Sequence, residues 1–158
     1  NLISSLIDPE GVAVPFKAST RASVLRELVA LAEQTWKVYD REALLDAITK
    51  REDQSTTALS YGVAIPHPHR PLPNAIEDSF IVYGRTMRGI PFGGERGALT
   101  DIFFFVCCAD SETHMKVMAR LSRLLLRPDF VDALREADNL AETLQVIREA
   151  ERELVEVQ

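Results

Sequence analysis

Arg51-Glu52-Asp53-Gln54-Ser55-Thr56-Thr57-Ala58-Leu59-Ser60-Tyr61-Gly62-Val63-Ala64-Ile65-Pro66-His67 is the stretch on which the fold turns. Val63, Ala64 and Ile65 form a short β-prone segment, and Gly62 before them allows an unusual backbone angle or close packing. Pro66 stops the ladder, because it has no N–H to donate and a fixed φ. His67 therefore falls at a strand end. Pro68 follows at once and restricts His67 itself to extended conformations. A histidine between two prolines is held in position.

Upstream, Ser19 or Thr20 can cap a helix whose apolar positions Val24, Leu25, Leu28, Val29 and Ala32 share one face. Asp40 can cap the next, with Leu44, Leu45 and Ile48 as its buried stripe, and that helix runs into Arg51. The strand candidates are Thr57–Leu59, Val63–Ile65, Ser79–Tyr83 and Asp101–Cys108, and the glycine-rich stretch Arg85 to Thr100 reads as a turn or hairpin connection. Asp110 and Ser111 offer caps for a long helix reaching about Leu126. Pro128 punctuates it before a short helix over Phe130–Glu136. Asn139 with Glu142 makes a capping box for a last helix, Leu140 to about Leu154. Helices precede, interrupt and follow the strands, which predicts an α/β domain with helices on both faces of one sheet. The first few residues and the acidic tail Glu149–Gln158 are expected to fray.

The 158 residues fit one domain with a real core, and a net charge of −6 argues against a nucleic-acid binder. No apolar run reaches the roughly 18 to 20 residues that cross a bilayer, and Ile102 to Cys108 reads as a buried strand. Cys107 and Cys108 are adjacent, so on a strand they point to opposite faces and are poorly placed to bridge each other. They read as small core residues of a protein in a reducing cytoplasm. No signal peptide with a basic start and an apolar stretch is visible. The chain begins at Asn1 rather than Met, which predicts a domain cut from something longer and leaves open a preceding module.

The pattern Arg51-Glu52, Thr57, then Gly62-Val63-Ala64-Ile65-Pro66-His67 resembles the active-site signature of type 2 IIA domains of the bacterial phosphotransferase system. This is the fructose/mannitol group with its nitrogen-regulatory branch. A Gly-Ile-Pro-Phe-Gly turn (Gly89 to Gly93), an apolar strand and a histidine opening the next helix (His114) extend the resemblance over most of the chain. It implies one IIA domain over 1–158, with a mixed sheet of about five strands sandwiched by helices. It also implies a cytoplasmic phosphocarrier in sugar transport or nitrogen regulation. His67 would accept a phosphoryl group from an HPr-like phosphohistidine protein and pass it to a IIB-type acceptor. In the regulatory branch, phosphorylation would instead switch binding to a target protein. On this account no metal or organic cofactor is needed, no nucleic acid is bound through this domain, and the domain does not insert into a membrane.

Each residue has a bland reading beside this one. Imidazole is nucleophilic when neutral and titrates near neutrality, so His67 can take and release a phosphoryl group. Arg51 could make a surface ion pair of little value, but a guanidinium fork suits phosphate oxygens, and the resemblance assigns it that role. His114 shares a helix face with Met118, Leu121 and Leu125, as a core-packed histidine would. It also lies in the first helical turn, where an anion is favoured, and the resemblance places a second histidine here beside the phosphorylated one.

Thr57 and Ser55 can bond a phosphate or satisfy local backbone groups, and Glu52 can anchor Arg51. Pro68 and His69 depart from the small residue that follows the active histidine in familiar relatives, which makes His69 a candidate modulator. His67-Pro68-His69 lacks the further ligands of a metal site. Gly89 to Gly94 lacks the Lys-Ser/Thr of a phosphate-binding loop and reads as a turn, one rim of the site. Lys116, Arg120, Arg123 and Arg127 form a basic stripe, either solvated surface or a steering field for an acidic partner.

Overall fold

The computed structural model describes residues 1–156, and the strand that delivers His67 forms one edge of its sheet. Four strands lie in the order β1-β3-β4-β2: β1 (Val12–Ala13), β2 (Val63–Ala64), β3 (Phe80–Pro91) and β4 (Leu99–Cys107). β3 and β4 form the antiparallel centre, while β1 runs parallel to β3 and β2 parallel to β4, so the sheet is mixed.

Six helices cover it: α1 (Leu2–Ser5), α2 (Arg21–Glu33), α3 (Arg41–Gln54), α4 (Ser111–Leu125), α5 (Pro128–Glu136) and α6 (Leu140–Glu156). One core packs α2 and α3 against Ala64, Val82, Phe103 and Phe105. The other packs α1, α4, α5 and α6 against Val63, Tyr83, Ile102 and Phe104. The period-2 alternation along β4 sends neighbouring residues into different cores. Cys107 and Cys108 accordingly separate, one to each side, and both are free thiols. Burial pushes the Cys107 thiol up to about 12 and the Cys108 thiol to about 11.

The expected caps form. Thr20, Asp40 and Asp110 each accept an N–H from three residues on, at 3.1, 3.0 and 2.8 Å. Asn139 likewise takes the Glu142 N–H at 2.9 Å, but the Glu142 carboxylate reaches back to the Asp138 N–H, so the expected box is only half made. Pro128 opens α5 as its first residue, in the turn whose N–H groups have no partner within the helix.

The sheet has four strands where about five were expected. Thr57–Leu59 makes only the single bridge Ala58↔Ala64, because the chain turns sharply at Ser60–Gly62 and leaves too short a pairing. β1 carries no alternation to betray so short a strand. β3 runs on to Pro91 through an irregularity between Arg85 and Ile90, which takes up half of the stretch expected to be a connection. Gly84 on β3 permits a close approach, since a Cβ there would stand 2.6 Å from the Phe16 ring.

The expectation of frayed ends is also corrected. Ile3 is fully buried, α6 continues to Glu156, and Glu151 in the acidic tail is buried. The last positions of that expected tail, 157 and 158, lie outside the described residues.

Candidate phosphoryl-transfer site

α3 brings Arg51 to its last turn, and the helix ends at Ser55, whose carbonyl accepts from Arg51 Nη1 at 2.7 Å. The chain then passes beside β2 before reversing. The reversal needs two consecutive left-handed residues, Tyr61 at φ 70° and Gly62 at φ 77°. A side chain at Gly62 would meet Arg135 Nη2 at 2.7 Å and Asp101 Oδ1 at 3.1 Å. Arg135 locks the turn from outside, donating to the Tyr61 carbonyl while pairing with Asp101 at 2.8 Å. Bonds from Leu59 N–H to the Val63 carbonyl (2.7 Å) and from Ile65 N–H to the Thr57 carbonyl (3.3 Å) fix the returning segment.

Pro66, with no N–H of its own, still offers its carbonyl to Val106 N–H at 3.0 Å. The chain then leaves the sheet at half-buried His67 and buried Pro68. Nδ1 of His67 lies 2.7 Å from the Ile65 carbonyl oxygen. A carbonyl only accepts, so Nδ1 carries the proton and Nε2 keeps a free lone pair. From the other side α4 presents His114, half-buried, its ring centroid 5.3 Å from that of His67 with the planes at 45°.

Burial lowers the pKa of His67. The Ile65 bond opposes this, while Arg51, His114 and His69 add to the lowering through space. Burial lowers His114 as well. Both rings are thus biased towards the neutral form, and a neutral imidazole with a bare Nε2 is a nucleophile. The guanidinium of Arg51 supplies permanent positive charge nearby.

Of the residues singled out from sequence, His67 and His114 come together here, and Arg51 acts on His67 through its charge. Ser55 is exposed and serves Arg51 through its carbonyl. Thr57 is buried, and both its N–H and its hydroxyl donate to Glu52, at 2.5 and 2.8 Å. That hydroxyl proton is therefore committed within the protein. His69 is exposed and reaches His67 only through its charge. Among the described residues no group of three or more His, Cys, Asp or Glu is gathered as a metal ion would need.

The Gly89–Gly94 segment does border the motif, since Thr56 Oγ1 donates to the Phe92 carbonyl at 2.6 Å. The basic stripe is largely paired within the domain: Lys116 with Glu112 (3.1 Å), Arg120 with Glu151 (3.2 Å) and Arg127 with Glu153 (4.0 Å).

Sequence reasoning missed the inward carboxylate of Glu52 and the backbone acceptor Ile65. The first had a signal, because Glu52 continues the spacing of Leu44 and Ile48 at four-residue intervals on the buried side of α3. The second had none, since a carbonyl belongs to every residue.

With this geometry in view, comparison with known proteins places the chain. The profile of the family described as phosphoenolpyruvate-dependent sugar phosphotransferase system, EIIA 2, matches residues 5–150. The chain belongs to this family of phosphotransferase IIA domains. It is 28% identical over 156 residues to a fructose-specific EIIA component of Haloferax volcanii, covering 98% of this chain and 97% of the relative. It is 33% identical over 135 residues to a nitrogen regulatory protein of Bradyrhizobium diazoefficiens, covering 84% and 86%. Against the fructose-specific EIIABC component of Bacillus subtilis the identity is 26% over 152 residues, and the chain spans only 24% of that protein's length.

Two solved structures share the fold. The nitrogen regulatory protein IIA-Ntr of Neisseria meningitidis aligns at TM-score 0.82 and 18% identity, covering 92% of this chain and 99% of that one. The complex of enzyme IIA and phosphorylated enzyme IIB for mannitol from Escherichia coli aligns at 0.79 and 18%, covering 91% and 99%. Among the described residues no helix is long and apolar enough to cross a membrane.

Proposed function

We propose that residues 1–158 form one phosphocarrier domain of the cytoplasmic phosphotransferase relay, with His67 as the residue phosphorylated. Nε2 attacks the phosphorus of an HPr-like phosphohistidine in line. The new Nε2–P bond forms as the donor's N–P bond breaks, and the donor imidazole leaves with the electron pair. The proton stays on Nδ1, donated to the Ile65 carbonyl throughout, so no proton has to move on this chain. Arg51 and His114 offset the charge on the equatorial oxygens, which suits a reaction governed by positioning and electrostatics. Onward transfer runs the same step in reverse, to a IIB-type acceptor.

The observation that carries this reading is the 2.7 Å contact of Nδ1 with a carbonyl, which leaves Nε2 the only nucleophilic nitrogen of that ring. The mannitol IIA structure was solved with phosphorylated IIB, which supports an acceptor of that class here. The experiment is incubation with phosphoenolpyruvate, enzyme I and HPr-like donors, following phosphohistidine beside a His67→Ala control. Label on the wild type and none on the variant is the expected result.

A second reading has its own support in the 33% identity to a nitrogen regulatory protein. There the phosphate, worth about −1.5 to −2 charges, changes which protein is bound rather than moving on. Capture of partners by the phosphorylated and unphosphorylated forms separates the two: a relay loses its label to an acceptor, whereas a switch keeps it and changes partner.

A further inference from the structure

Glu52 is 3% exposed, lies one residue from Arg51, and is an anion beside a site that would gather negative charge. Such a group is unfavourable there unless its geometry is needed. Both its oxygens are taken by one residue: Oε2 accepts the Thr57 N–H and Oε1 the Thr57 hydroxyl. The Thr57 carbonyl in turn accepts from Ile65 N–H, and the Ile65 carbonyl accepts from His67 Nδ1. On the other side of the clamp, the Ser55 carbonyl takes Arg51 Nη1. The segment Ser55–Thr57 is thus bonded both to the guanidinium and, through Ile65, to the imidazole.

We propose that Glu52 is a positioning residue for phosphoryl transfer. Its clamp on Thr57 fixes the spacing between Arg51 and Nε2 of His67, and through Ile65 it holds His67 in the Nδ1–H form. The inference rests on the reading of His67 as phosphoacceptor. It assigns Glu52 a geometric role rather than that of a counter-charge to Arg51, and the two roles respond differently to substitution. A glutamine keeps one acceptor for the Thr57 N–H. Its amide can donate to Thr57 Oγ1, because a hydroxyl is both donor and acceptor. The clamp survives in Glu52→Gln while the charge is lost.

The test compares Glu52→Gln, Glu52→Leu and Thr57→Val with wild type. It measures the imidazole ¹⁵N shifts of His67 and the rate of phosphohistidine formation with phosphoenolpyruvate, enzyme I and HPr. Glu52→Gln is expected to stay within about 3-fold of the wild-type rate with unchanged shifts. Glu52→Leu is expected to lose roughly 10- to 100-fold, the range that a displacement of about 1 Å produces, with His67 leaving the Nδ1–H form. Thr57→Val, which keeps one of the two bonds, falls between them and decides the matter if Glu52→Leu does not fold. Folded Glu52→Leu and Thr57→Val with wild-type shifts and rates would overturn the proposal, as would a Glu52→Gln as slow as Glu52→Leu. If the wild type itself takes no label, the phosphoacceptor reading fails, and the ¹⁵N shifts still decide whether the clamp orients His67.

Discussion

Nδ1 of His67 stands 2.7 Å from the carbonyl oxygen of Ile65, two residues earlier in the chain, and this contact leaves Nε2 as the ring nitrogen with the free lone pair. Free imidazole exchanges between its two neutral forms, but here only the form with a proton on Nδ1 satisfies the carbonyl. The phosphate should therefore be bonded to Nε2. Two-dimensional ¹H–¹⁵N spectra of the phosphorylated protein check this through coupling of phosphorus to one ring nitrogen. A phosphate on Nδ1 would require the Ile65 contact to break and would overturn the assignment.

The pH dependence follows from the lowered pKa of His67. A phosphoacceptor must be neutral, so the labelling rate should hold level as pH falls from 8 through the ordinary histidine value of about 6.5 and decline only below it. The sign for stability is the same. Between the folded and unfolded values the native state binds fewer protons, so stability rises with pH across that window and is flat above about 6.5. It is lost as pH falls through the folded value. Rates between pH 5 and 8, with a donor whose own titration is known, check the first part. Half-maximal rate at or above pH 6.5 would contradict it.

Arg51→Ala should slow labelling by about 10²- to 10³-fold, the usual cost of losing one donor aimed at developing charge. Arg51→Lys should recover only part of this, because an ammonium restores the charge and not the planar fork. Stability should change little. Arg51 is partly exposed, and its bond to the Ser55 carbonyl is worth on the order of 1 kcal/mol. Transfer rates and denaturant midpoints measured on the same samples separate the two effects. A wild-type rate in Arg51→Ala would remove it from the phosphate site.

Much of this site was legible in the chain itself. Two prolines around His67, a helix running into Arg51 and a cap before His114 are local signals, and these elements formed where their residues placed them. The signals failed where a residue's role depends on a distant partner. Thr57 read as either a phosphate ligand or a partner of local groups, and nothing local says that its hydroxyl turns inward to the buried Glu52. The basic stripe of α4 read as exposed, yet Arg120 is drawn onto Glu151 from α6. Thr57–Leu59 has strand composition but too little pairing length, and β1 has pairing but no pattern. The ends were misjudged for the same reason. An acidic tail and a short apolar start each look loose alone, and nothing local says that they bind each other.

Glu151 is the residue that joins them. Its carboxylate, with no solvent exposure, accepts the Ile3 and Ser4 N–H groups at 2.7 and 2.9 Å, the Ser4 hydroxyl at 2.9 Å and Arg120 Nη1 at 3.2 Å. α1 is only four residues long and cannot hold itself, so α6 supplies its cap. Burial alone would raise the pKa of this carboxyl, but the bonds from Ile3, Ser4 and Arg120 outweigh it and the net shift is downward. A lowered folded value means that its contribution is fully present above the ordinary glutamate range and is lost as pH falls through the folded value. Glu151→Ala orphans Arg120 and the two N–H groups together, and should cost about 3–5 kcal/mol at pH 7. Glu151→Gln, which keeps an acceptor, should cost about 1–3 kcal/mol. Urea unfolding at pH 7 and near pH 3 checks the size and the sign, since the gap between wild type and Glu151→Ala should narrow in acid. Hydrogen exchange locates the effect: the Ile3 and Ser4 amides should lose protection in Glu151→Ala. If they stay protected, α1 is held by the packing of Ile3 alone and the carboxylate is not its latch.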